Sequence, residues 1–132
     1  MRLAAAGLVV LAAACQPAPV MLAGIDLGKP MRALGTEPFW GIDIGPDEIV
    51  FTGVDRPEFR APNPGARLQG AVAIIAAKDK AGAELVITLR PDTCSDGMSD
   101  FVYPLGAEVA LGGEVLTGCA ASQTTLGERP RP

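Results

Sequence analysis

The side chains with the most chemical potential in this chain are three cysteines, Cys15, Cys94 and Cys119, and one polar run, Asp92-Thr93-Cys94-Ser95-Asp96-Gly97-Met98-Ser99-Asp100. An odd cysteine count in an exported protein requires a separate use for one thiol. Cys15 ends an apolar leader and is the one expected to take lipid, which leaves Cys94 and Cys119 to pair in an oxidising compartment. Histidine is absent, so the commonest general base, the Ser-His and Cys-His pairs and the favoured zinc ligand are all missing. The three carboxylates of the 92–100 run invite a calcium reading, but Asp92, Asp96, Gly97 and Asp100 do not follow the EF-hand spacing and no terminal Glu is present. Asp, Ser and Gly are also the residues that build turns by bonding their own backbone. No glycine-rich phosphate loop precedes a helix. The expectation is a non-enzymatic protein with no metal and no cofactor. Its contact region is expected at Trp40, Ser95, Asp96, Met98, Ser99, Asp100 and Tyr103.

Residues 1–14 read as a signal peptide: a basic start at Arg2, an apolar run from Leu3 to Leu11, and small residues Ala12-Ala13-Ala14 before Cys15. A retained membrane span would need about 20 apolar residues, and Gln16-Pro17 interrupts too early. Ala12-Ala13-Ala14 also satisfies an ordinary A-x-A cut without lipid, but only acylation of Cys15 accounts for the third cysteine. Removing 1–14 takes away one cation, Arg2, and moves the net charge from -4 to -5. That acidity argues against nucleic acid and anionic membrane surfaces as partners, and it tolerates another envelope protein.

The elements that must position these side chains read as strands. Residues 15–33 hold three prolines and no sustained period, so they are expected to be a tether, at about 3.3 Å per residue spanning at most ~60 Å. From residue 39, short alternating runs broken by Gly and Pro predict an antiparallel β domain over 34–121. Trp40, Ile42 and Ile44 turn through Gly45-Pro46-Asp47-Glu48 into Ile49-Val50-Phe51. Residues 55–66 are Pro-rich and expected to loop. Leu68 to Ala76 and Glu84 to Arg90 predict a second hairpin. Phe101, Tyr103, Leu105, Ala107, Val109 and Leu111 share one parity, with Pro104 marking an edge or bulge. Gly112-Gly113 predicts a type I′ turn that sets Leu111 opposite Glu114 and Val109 opposite Leu116, and turns Cys119 away from the main apolar face. Residues 122–132 are expected to be a disordered tail. The predicted fold is all-β: a small antiparallel meander forming a barrel or strongly curved sheet with one disulfide, preceded by a helical signal peptide and a flexible tether.

Leu11-Ala12-Ala13-Ala14-Cys15 resembles the lipobox of bacterial lipoproteins, although Leu11 stands one place earlier than usual. That resemblance implies diacylation at Cys15, and Gln16 in place of Asp implies the outer membrane, facing the periplasm. Gly35-Thr36-Glu37-Pro38-Phe39-Trp40, then Cys94-Ser95-Asp96-Gly97-Met98-Ser99 with Tyr103-Pro104 and Leu116-Thr117-Gly118-Cys119-Ala120, resembles a family of uncharacterised bacterial envelope proteins and lipoproteins with a G-N-E-P-F-W opening. Thr36 replaces the more usual Asn. More distantly, the chain is similar to META-type lipoproteins, which are non-enzymatic, and to membrane-bound inhibitors of C-type lysozyme. The second likeness implies an inhibitor as the alternative function, with Ser95 or Ser99 as the loop serine, but no lysine follows Lys80. Oligomeric state is left open.

Overall fold

The structure is a computed structural model that describes residues 4–13 and 18–128. The expected anchor, Cys15, lies outside the described residues, as does the end of the expected tail, 129–132. Residues 4–13 form no regular element and are exposed, in place of the expected leader helix. The physical reason is length: a helix of about ten residues with no packing partner is marginal in water. No helix among the described residues is long and apolar enough to cross a membrane.

Thirteen strands and one short helix make up the domain: β1 Met21–Leu22, β2 Ile25–Asp26, β3 Met31–Thr36, β4 Phe39–Ile44, β5 Glu48–Gly53, β6 Arg56–Pro62, β7 Arg67–Gln69, β8 Val72–Lys78, β9 Glu84–Arg90, β10 Cys94–Ser95, β11 Val102–Tyr103, β12 Leu105–Leu111, β13 Glu114–Ser122 and α1 Gln123–Gly127. Nine of them form one antiparallel sheet in the order β6-β5-β4-β3-β13-β12-β9-β8-β7. The sheet curls into a half-barrel. Its edges are β6 and β7, and β6 approaches β8 across the open side with no ladder between them.

Alternation explains the curl. Met31, Ala33, Trp40, Ile42, Ile44, Ile49, Phe51, Ile75, Ile87, Leu89, Leu105, Val109 and Leu116 project to the inside as one core. Burying a Val, Leu, Ile or Phe side chain of this kind contributes about 1.5–3 kcal/mol. The predicted register holds, Leu111 pairing with Glu114 and Val109 with Leu116, and the predicted 40–51 hairpin closes with Ile44 opposite Ile49. Gly112 and Gly113 take φ of 59° and 80°, as the tight turn requires.

Five expected boundaries are corrected. Residues 21–33 are not a tether. Leu22 and Leu27 are buried against the core by the β1-β2 hairpin, and β3 is a central strand. Two-residue strands are too short to show a period, and Pro30 masks the alternation of Met31 and Ala33. Residues 56–62 are a strand, not a loop: β6 is an edge, where Pro57 and Pro62 are tolerated, and Phe59 and Ala61 are buried. Residues 68–76 divide into β7 and β8 at Gly70, whose φ is 59°. Residues 101–111 divide at Pro104 into β11, which pairs with β10, and β12, which stays in the main sheet. The segment after Ala121 begins as structure, not tail: Ser122 ends β13 and caps α1 by accepting from Thr125 N at 3.0 Å.

Candidate functional site

The site is assembled on the outer face of β3, β4 and β5, from side chains of the parity opposite to the core. Leu34 lies opposite Gly41, and Gly41 opposite Thr52, so one row of the sheet has a dip at its centre. Thr36 and Phe39 pair in the next row up, and Arg32 and Asp43 pair in the next row down. Over this face folds the excursion from Cys94 to Tyr103, whose β10 and β11 pair as Cys94 with Tyr103 and Ser95 with Val102.

Two attachments hold the excursion, and one carboxylate organises it. Cys94 and Cys119 form a disulfide with Cα atoms 5.6 Å apart. It belongs to a second apolar cluster with Tyr103 and Ala121, outside the main core, as the Gly112-Gly113 register predicts. Thr36 Oγ1 donates to the Asp96 carbonyl at 2.9 Å, tying the loop to the end of β3. Asp96 organises the loop itself. Its Oδ1 accepts from Met98 N at 2.9 Å and Ser99 N at 2.8 Å, and its Oδ2 accepts from Ser99 Oγ at 2.9 Å and Tyr103 OH at 3.1 Å. These bonds, led by those from the Met98 and Ser99 backbone, hold the carboxyl down to about 2. A carboxylate engaged by four donors is a turn-builder rather than a proton carrier.

Between loop and sheet lies an open cleft of about 590 Å³, lined by residues including Arg32, Leu34, Thr36, Phe39, Thr52, Val54, Asp96, Met98 and Tyr103. Its rim is apolar and exposed: Phe39 keeps 53% of its surface, Val54 55% and Met98 69%. Arg32 Nη1 donates to Asp43 Oδ1 at 2.7 Å. The same guanidinium lies over Gly41, where an added Cβ would come within 2.6 Å of Nη2.

Of the sequence-predicted contact residues, Trp40, Asp96, Met98 and Tyr103 line the cleft, whereas Ser95, Ser99 and Asp100 do not. Trp40 is 5% exposed and packs inward, 6.3 Å from the Phe51 ring centroid. Two glycines make room for it: a Cβ on Gly35 would lie 2.1 Å from Trp40 Nε1, and one on Gly118 would lie 2.8 Å from Cζ2. Phe39, its neighbour of opposite parity, takes the exposed position. No chemical motif marks Arg32, Leu34 and Thr52, which only the outward parity of β3 and β5 distinguishes, nor Val54, which follows β5 in the turn.

A second depression of about 700 Å³ lies at the seam, near Asp47, Glu48, Glu58, Arg60 and Lys80. Arg60 there bonds both Glu58 and Glu48. At the Trp40 end, Arg56 Nη1 and Nη2 donate to the two Glu114 carboxylate oxygens at 2.7 and 3.0 Å, joining β6 to β13. That pairing lowers the Glu114 pKa and raises that of Arg56. Among the described residues no group of three or more His, Cys, Asp or Glu side chains comes together. Comparison with protein-family models, curated proteins and solved structures finds no match.

Proposed function

We propose that this chain is a non-catalytic envelope lipoprotein, held on the membrane through acylated Cys15, that serves as a binding module with the cleft as its contact region. The observation that carries the reading is the cleft: a fixed sheet face and a disulfide-held loop enclose a space rimmed by exposed Phe39, Val54 and Met98. Exposed apolar rims on otherwise polar surfaces mark interaction sites. The carboxylate inside is already engaged, and no histidine exists to act as base.

The fold also supports a place for the cleft relative to the anchor. Val20 is already fixed, since its carbonyl accepts from Leu27 N at 2.9 Å. Only the steps from Cys15 to Val20 remain, a reach of about 17 Å at full extension. The domain would therefore ride close to the bilayer. The β1-β2 hairpin leads into β3 at Met31, whereas Thr36 and Phe39 lie at the far end of that strand pair. The cleft would face away from the lipid, toward the periplasm in an outer-membrane protein.

Two arms test the proposal. Cys15→Ala is expected to move the protein from the membrane fraction to the soluble one, and unchanged association contradicts the anchor. For the contact region, photo-crosslinkers are placed at Met98 and, as a control, at Leu68 on β7, which is 54% exposed. A discrete adduct in the native envelope is expected from Met98 and abolished by Phe39→Asp. Equal adducts from both positions, or none from Met98, contradict the cleft as the contact region.

A further inference from the structure

We propose that the cleft binds an organic carboxylate, whose head meets Arg32 and whose apolar body lies on Phe39, Val54 and Met98. This rests on the cleft being the contact region and adds the class of ligand. Among the described residues, Arg32 and Asp96 are the charged side chains lining it. The Asp96 oxygens are engaged by the Met98 and Ser99 amides and by the hydroxyls of Ser99 and Tyr103. Thr36 Oγ1 is engaged by the Asp96 carbonyl. Among the described residues, the side-chain polar groups left for a ligand include the exposed Thr52 hydroxyl and the remainder of the Arg32 guanidinium.

That remainder has a definite shape. Nη1 is occupied by Asp43, while Nε and Nη2 donate to no acceptor among the described residues. Together they form the side edge of the guanidinium fork, whose two parallel N–H groups match the two oxygens of a carboxylate. The fork is also aimed. Arg32 starts one row below the dip, its Nη1 is tied to Asp43, and its Nη2 overlies Gly41, where a side chain would displace it. The cation therefore lies over the floor with the apolar rim above it, the division of labour found in small-molecule sites: apolar walls for area and a few polar groups for orientation. A neutral amphiphile would gain the walls only. A cationic one would meet Arg32 as a like charge.

The test titrates the full chain carrying Cys15→Ala, which keeps acyl chains and detergent out of the cell, with octanoate, octan-1-ol and octylamine below their aggregation concentrations. Binding is followed by calorimetry and by the emission of Trp40, the single tryptophan, which lines the cleft. Octanoate is expected to bind about tenfold or more tightly than octan-1-ol, as one charge-assisted bidentate pair provides. Arg32→Gln is expected to remove that preference and leave octan-1-ol unchanged, with circular dichroism confirming the fold. Asp43→Asn, which removes the opposing charge, is expected to tighten octanoate. Equal affinity for octanoate and octan-1-ol, octanoate binding indifferent to Arg32→Gln, or no saturable octanoate binding at millimolar concentration each overturn the inference. A Phe39-dependent adduct in the envelope together with any of those results overturns the carboxylate and leaves the binding module standing.

Discussion

Of two glycine-to-alanine substitutions within the same sheet, one is expected to destabilise the domain and the other to leave it unchanged or more stable. At Gly118 a Cβ would come within 1.9 Å of the Leu34 carbonyl oxygen and 2.8 Å of Trp40 Cζ2, so a strand and a buried ring must both move. Overpacking a closed core costs typically ~1–3 kcal/mol, and a clash with backbone belongs at the upper end. The chain-entropy gain of replacing glycine returns about 0.5–1 kcal/mol. The net expectation for Gly118→Ala is a loss of about 2–2.5 kcal/mol, or roughly 8–20 °C in Tm for a domain of this size. At Gly41 the only close atoms belong to the Arg32 guanidinium, which ends a flexible side chain 37% exposed. Gly41→Ala therefore keeps the entropy gain and is expected to be neutral or stabilising by up to about 1 kcal/mol. Urea unfolding followed by Trp40 emission measures both, and Gly118→Ala should also shift the native emission as the ring is displaced. Equal stabilities for the two variants within about 0.5 kcal/mol, with native emission unchanged, would refute the seating of Trp40 on Gly118.

Other expectations follow from the loop and its bridge. The Cys94–Cys119 bond closes a separation of 25 residues, which the chain-entropy model values at about 3.5 kcal/mol, so Cys94→Ala/Cys119→Ala should lower urea stability by up to that amount. Asp96 has its carboxyl lowered from 3.8 to about 2 in the folded state by the Met98 and Ser99 amides. Its contribution is thus present above about pH 4 and lost as pH falls through about 2, and Asp96→Asn should flatten that part of an acid-unfolding curve. Ser99 Oγ bonds Asp96, and Ser95 Oγ accepts from Gly97 N at 3.2 Å, so neither serine is poised to enter a lysozyme cleft. The purified domain is expected to leave C-type lysozyme activity unchanged at micromolar concentration, and inhibition there would restore that reading.

The antiparallel class and the central hairpins were legible because each is written in local pattern, and the bridge because setting Cys15 aside leaves Cys94 and Cys119 to pair. Alternation from Trp40 to Phe51 and from Leu105 to Leu116, joined by turn-forming residues, leaves one register that buries the apolar side. What escaped is what local pattern cannot carry. Leu22 and Leu27 look like isolated hydrophobes in a proline-rich stretch until the half-barrel supplies a surface for them to cover. Pro57 and Pro62 speak for a loop unless the strand is known to be an edge, and edge position is a property of the whole sheet. The loop half of the site was legible from its Asp, Ser and Gly composition. The sheet half was not, because Arg32, Leu34, Phe39 and Thr52 are simply the outward residues of strands whose inward partners carry the stronger signal. Trp40 drew attention by type, yet parity turned it inward and left Phe39 exposed.

The central claim, an exported chain with one sulfur acylated and two joined, is tested most directly by the intact mass of the protein isolated from its own envelope, before and after reduction. The expected species is a chain starting at Cys15, heavier than its residues by the acyl groups, that gains two hydrogens on reduction. A chain retaining residues 1–14, with no acyl mass and no change on reduction, would contradict it.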